Sequence, residues 1–155
     1  IKLAEAVRRG IGDDFRFMVD ANHCYTTSDA FEVGRALEDL DAYWFEEPIA
    51  PEDLQGYREL RAGLNVNISG GEAEFNRWGW RSLLESRGLD IAQPEVCALG
   101  GISEYLRVLA LCHAHFTPVV NHVWGSAVAV ATNITVRQHP ALQESHLLYP
   151  LVLAL

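Results

Sequence analysis

Five polar residues recur at a near-constant interval, and their types suit proton transfer beside a metal ion. Asp20 closes the run Phe15-Arg16-Phe17-Met18-Val19-Asp20. Glu46 stands 26 residues further on, in Tyr43-Trp44-Phe45-Glu46-Glu47-Pro48, and Glu72 another 26 on, closing Val66-Asn67-Ile68-Ser69-Gly70-Gly71-Glu72. Glu95 follows after 23, closing Asp90-Ile91-Ala92-Gln93-Pro94-Glu95, and His122 after 27, closing Thr117-Pro118-Val119-Val120-Asn121-His122. Three carboxylates side by side repel unless positive charge sits among them. No Lys or Arg occupies an equivalent position. An all-oxygen donor set suits a hard, octahedral cation that keeps places for water and substrate, hence Mg2+ from Asp20, Glu46 and Glu72. An acid after a strand also serves to cap the next helix, but three at one spacing favour the ion. Glu95 would hold the His122 imidazole in one tautomer and raise its basicity while His122 moves a proton. The ion would bind a substrate carboxylate and stabilise the enolate left when the neighbouring C–H is lost.

The beat of about 25 residues is what one strand, one helix and two short loops consume. Apolar positions 1, 4, 7 and 11 predict a helix over Ile1 to Ile11, stopped by Gly10 and Gly12. A strand ends at Asp20. Thr27-Ser28 caps a helix from Asp29 to Leu40, with Phe31, Ala36, Leu37 and Leu40 inward. Ala42 to Phe45 is the second strand, and Pro51 suits the first turn of a helix to Arg61. Asn65 to Ser69, Asp90 to Gln93 and Thr117 to Asn121 read as further strands. Arg77 to Ser86, Ser103 to His115 and a segment from Gly125-Ser126 to about Gln138 read as helices, and Leu147 to Leu155 as the start of a sixth strand. Uninterrupted strand–helix alternation means a parallel sheet covered by helices. In a parallel barrel the C-terminal strand ends face one side, where the five polar groups would converge.

A complete eightfold barrel takes about 250 residues, and this chain has 155. It opens on Ile in mid-helix, and its one Met is Met18. The expectation is an α/β chain: a partial TIM-type (β/α) barrel, residues 1–155 being a C-terminal barrel-domain fragment that lacks the first strands and an N-terminal capping domain. The formal net charge of -9 comes with no run of Lys or Arg, which disfavours nucleic acid. The nearly uncharged stretch from Phe116 to Val136 contains His122 and Asn residues and reads as strand plus helix, so no membrane partner is expected. Cys24, Cys97 and Cys112 form no CxxC pair and read as buried free thiols of a reducing, cytoplasmic compartment.

Val-Asp20-Ala-Asn22, Trp-Phe-Glu46-Glu-Pro, Gly-Gly-Glu72, Gln-Pro-Glu95 with Leu-Gly-Gly-Ile, and His122-Val-Trp-Gly together resemble the enolase superfamily, in its mandelate racemase-like subgroup. The resemblance covers roughly Arg16 to Val136. It implies that Asp20, Glu46 and Glu72 bind Mg2+, that Glu95 and His122 form the carboxylate–His dyad acting as general base or acid, and that Asn22 contacts substrate. The His-Val-Trp-Gly form is most similar to the subgroup's sugar-acid enzymes, cycloisomerases and dehydratases. A small sugar-acid partner and a homo-oligomeric full-length enzyme are expected with it. Glu95 departs from the Asp usual at the dyad, Asn121 stands in place of a usual Pro, and the Glu near the eighth strand has no counterpart in Leu147 to Leu153.

The competing reading is a non-catalytic barrel fragment or partner subunit, since an open barrel leaves strand edges for other chains. Metal-dependent hydrolysis would need a His-rich strand site, which these strand ends do not supply. Cys112-His113-Ala114-His115 falls at a helix end and is not read as a metal site. Asn67-Ile68-Ser69 and Asn133-Ile134-Thr135 match a glycosylation pattern but fall in a buried strand and a helix. Trp44, Trp78, Trp80 and Trp124 are read as packing residues, Trp124 with a claim on the pocket lining.

Overall fold

The computed structural model describes residues 1–137. The chain order is α1 (Lys2–Ile11), β1 (Phe17–Asp20), α2 (Thr27–Asp39), β2 (Ala42–Glu46), α3 (Leu54–Gly63), β3 (Asn67–Gly70), α4 (Arg77–Ser86), β4 (Ile91–Ala92), α5 (Ile102–Ala114) and α6 (Ala127–Arg137). Strand order follows chain order, β1-β2-β3-β4. The described residues divide into two compact units, residues 1–69 with 86–90, and residues 70–85 with those from 91 on.

In the first unit β1 and β2 pair in parallel, Met18 with Trp44, Val19 with Phe45 and Asp20 with Glu46. β2 and β3 do the same, Phe45 with Ile68 and Glu46 with Ser69. Parallel strands covered by helices bury apolar runs. Phe45, Ile68, Leu60 and Ala30 accordingly have no exposed surface. Burying each large side chain of this kind contributes about 1.5–3 kcal/mol. The α2 cap is Thr26, whose hydroxyl accepts from the Asp29 amide. Pro51 lies before α3, which starts at Leu54 because the Asp53 carboxylate accepts from the Gly56 amide. On α2 the buried residues are Ala30, Gly34 and Leu37, a stripe shifted from the expected one.

Helix α1 departs further from its pattern. Ile1, Val7 and Ile11 are exposed, and the buried residue is Arg8. Its guanidinium donates from Nε to the Leu40 carbonyl at 2.8 Å, from Nη1 to Gly12 and Phe15 at 2.9 and 2.8 Å, and from Nη2 to Asp41 at 2.9 Å. It also lies 5.3 Å from the Phe17 ring centroid. Four of its five fixed donors, matched to carbonyls, make a buried cation tolerable.

In the second unit, Trp80, Tyr105 and Val108 are fully buried. Gly71, with φ +114, passes so close to Trp80 that an added Cβ would lie 2.3 Å from the ring. Only glycine combines that dihedral with that approach. The strand expected over 90–93 is reduced to Ile91–Ala92. The one expected over 117–121 is present as two isolated parallel bridges, Ala92 with Val119 and Glu95 with His122. Pro94 and Pro118 supply no amide hydrogen, so neither segment sustains a continuous ladder. The proposed sixth strand lies outside the described residues.

Candidate active site

In the first unit the parallel register sets Asp20 directly beside Glu46. Past the strands the ladder continues through the amide of Ala21 to the Glu46 carbonyl at 2.9 Å and that of His23 to the Glu47 carbonyl at 2.7 Å. Asp20 Oδ1 accepts from the Asn22 amide at 2.8 Å, and Glu46 Oε2 from the Trp44 indole at 3.0 Å. Asn22, His23 and Glu47 hold φ of 45°, 62° and 41°. The left-handed region costs a non-glycine residue about 1–2 kcal/mol, least for Asn. Such strain persists where surrounding structure over-determines it, commonly at functional sites. The local field is strongly negative. Burial first, then the charges of Glu47, Glu46, Asp20 and Glu52, push the Tyr57 phenol far above its ordinary value.

In the second unit Gly70-Gly71 turns the chain off β3 so that Glu72 follows immediately. His122 is bracketed by two carboxylates: Nε2 lies 2.5 Å from Glu72 Oε2 and Nδ1 3.2 Å from Glu95 Oε2. Glu95 is buried, and its two oxygens collect three donors. Oε1 accepts from the Cys97 amide at 2.9 Å, and Oε2 from the Trp124 amide at 3.0 Å as well as from the imidazole. Asn121 is buried and donates to Asn133 Oδ1 at 3.1 Å, while Asn133 donates to the Ala129 carbonyl at 3.0 Å. The residue before His122 is thereby tied to α6. Burial is the largest single influence on His122 and lowers its pKa. Hydrogen bonds and charge from Glu72 and Glu95 together outweigh it, so the net shift is upward.

The structure therefore brings Glu72, Glu95 and His122 together in one unit, and Asp20, Asn22 and Glu46 in the other. Among the described residues, no three His, Cys, Asp or Glu side chains are gathered as an ion-holding group. The donor chemistry suits a hard cation: Asp20 and Glu46 present only oxygen, at neighbouring register positions in a negative field.

A family model described as enolase C-terminal domain-like matches residues 1–150. The chain belongs to this family. This enolase C-terminal domain-like chain is 40% identical over 131 residues to D-galactarolactone cycloisomerase of Agrobacterium fabrum, covering 84% of the chain and 35% of that relative. Among solved structures it resembles 3,6-anhydro-D-galactonate cycloisomerase from Zobellia galactanivorans, at 39% identity and TM-score 0.84 over 87% of this chain and 39% of that one. It also resembles L-talarate/galactarate dehydratase solved with Mg and L-glucarate, at 30% identity and TM-score 0.79 over 87% and 33%. The chain thus spans little more than a third of its relatives' lengths. Parallel strands alternating with helices, as part of a (β/α) barrel, are the fold class expected.

Several side chains were misplaced by pattern alone. Trp44 and Trp80 are buried, whereas Trp78 and Trp124 are 66% and 79% exposed. Cys112 is buried, but Cys24 and Cys97 are exposed. Asn133 is buried, and Asn67 donates to the Tyr43 carbonyl at 2.6 Å, in keeping with discounting both glycosylation patterns. Among the described residues no helix is long and apolar enough to cross a membrane. Sequence reasoning passed over His23 and Glu47, although both lie within three residues of a candidate ligand. That adjacency was the available signal.

Proposed function

We propose that the protein carrying this chain removes the proton α to a carboxylate on a sugar acid or its lactone, with dehydration or cycloisomerisation as the outcome. The supporting observation is His122 held between Glu95 and Glu72. A carboxylate only accepts, so Glu95 favours a proton on Nδ1 and Glu72 one on Nε2; Nε2, on the Glu72 side, is the nitrogen we assign to moving the substrate proton. As the resemblance implies, Asp20, Glu46 and Glu72 would hold Mg2+, and Asn22 would contact substrate. The chemistry such an ion supplies is stabilisation of the charge on an enolate. The relatives named as sugar-acid cycloisomerases and dehydratases, one of them solved with Mg, support the substrate class. Three free thiols suit a reducing compartment such as the cytoplasm.

The test is exchange of the substrate α-hydrogen in D2O with Mg2+, across a panel of aldonic and aldaric acids and their lactones. Exchange with at least one member is expected, abolished by His122→Asn and by Glu72→Gln. A protein that exchanges none of them sinks the proposal.

A further inference from the structure

Two residues that the proposed reaction leaves unused face each other beside the Asp20–Glu46 pair. His23 Nε2 lies 2.8 Å from Glu47 Oε2, and the Glu47 side chain is 1% exposed against 27% for His23. A carboxylate withdrawn from water needs a polar partner, and the His23 ring nitrogen stands within ion-pair distance of it. The same two residues are joined through the main chain, His23 N to Glu47 O at 2.7 Å. Both sit at left-handed corners, with Asn22 making a third. The bend that leaves β1 and the bend that leaves β2 are therefore fastened twice at the same place. On the first bend ride Asp20 and Asn22, and on the second Glu46.

We infer that His23 and Glu47 form a positioning pair that fixes how Asn22 and Glu46 are presented, and so sets cation affinity at the Asp20–Glu46 end of the site. This rests on the ligand roles proposed above for Asp20 and Glu46. A backbone bond alone leaves each corner free to relax toward ordinary dihedrals once the side chains are removed. The buried carboxylate would then turn toward water and carry the peptide after Glu46 with it. Neither residue is assigned contact with substrate.

The experiment measures Mn2+ binding to the 155-residue chain by electron paramagnetic resonance, Mn2+ standing in for Mg2+. Metal-free amide exchange and the urea midpoint are recorded on the same samples. Wild type binds Mn2+, and Asp20→Asn abolishes binding. His23→Ala weakens binding about 10-fold, as loss of an outer partner does, and His23→Gln, which keeps an amide donor, restores it to within about threefold. Glu47→Gln repeats the test should His23→Ala not fold, with the same expected weakening. Wild-type affinity in His23→Ala, or a well-folded His23→Gln without restoration, overturns the inference. A wild-type chain that binds no Mn2+ overturns the ligand assignment instead. The pair is then judged without metal: exchange at Ala21 and residue 23 should quicken at least tenfold in His23→Ala and slow again in His23→Gln, and unchanged exchange overturns it.

Discussion

Replacing Glu95 by Gln removes one charge and almost no volume, which makes it the sharpest probe of how His122 is held. The carboxylate receives three donors, the Cys97 amide at Oε1 and the Trp124 amide and His122 Nδ1 at Oε2. A Gln amide has one acceptor oxygen and one donor NH2. With its oxygen at the Oε2 position, the NH2 meets the Cys97 N–H. In the other flip it meets the Trp124 N–H, and His122 must move its proton to Nε2 to accept at Nδ1. Either way one buried backbone donor is orphaned, at a cost of about 1–3 kcal/mol. The charge effect adds to this with a definite pH dependence. Glu72 and Glu95 raise the His122 pKa despite burial, so protonated His122 stabilises the fold below the unfolded value of about 6.5. That contribution is lost as pH rises through the raised folded value. Glu95→Gln weakens it, so the substitution should destabilise more at pH 6 than at pH 8. Urea unfolding at both pH values, with unchanged m-values, measures the difference. Ring 15N shifts through a pH titration should show His122 titrating lower in the variant. On the proposed function, α-hydrogen exchange should also fall, by no more than the roughly 10^2–10^4-fold that loss of the general base itself would cost. If Glu95→Gln leaves both the urea midpoint and the His122 titration at their wild-type values, the role given to Glu95 is wrong.

Three further outcomes follow from the same coordinates. Arg8→Lys should cost about 2–4 kcal/mol in urea unfolding, because one ammonium cannot reach four carbonyls from a single point; a loss below about 0.5 kcal/mol, the scale of an ordinary surface change, would contradict this. Glu104 is held at about 2 by the side-chain and backbone hydrogen bonds from Arg77, with Arg107 adding to them. Its contribution is present above the unfolded carboxylate value and lost as pH falls toward about 2, so Glu104→Gln should flatten the acid limb of the stability curve, and an unaltered limb would count against the network. Thiol titration of the native chain should detect the two exposed thiols, Cys97 more slowly than an ordinary thiol because burial and the Glu95 carboxylate raise its pKa, while Cys112, fully buried and with its thiol pushed up to about 12 by that burial, should react only after denaturant is added; a Cys112 as fast as the exposed thiols would mean that α5 is not packed as described.

What the sequence disclosed and what it withheld divide along a physical line. A parallel strand repeats its side-chain environment every two residues, and a βα unit repeats its strand end every 25 or so. Asp20, Glu46, Glu72, Glu95 and His122 were therefore visible as a beat, and the register pairs Asp20 with Glu46 and Glu95 with His122 follow it. Arg8 was invisible for the opposite reason. Its partners are carbonyls of Gly12, Phe15, Leu40 and Asp41, and every residue carries a carbonyl, so no pattern of side-chain types marks the place where an arginine can be buried. Hydrophobic periodicity assigned the α1 interior to its apolar stripe, yet the buried residue is Arg8, and Val7 and Ile11 are exposed. The His23–Glu47 pair lies between these cases. Its residue types were in view beside the site, but the contact depends on left-handed dihedrals at Asn22, His23 and Glu47. Glycine announces such a dihedral, whereas a glutamate adopts it only under constraint from outside its own segment. Local sequence thus locates charges placed by repetition, and misses charges placed by a neighbouring segment's main chain.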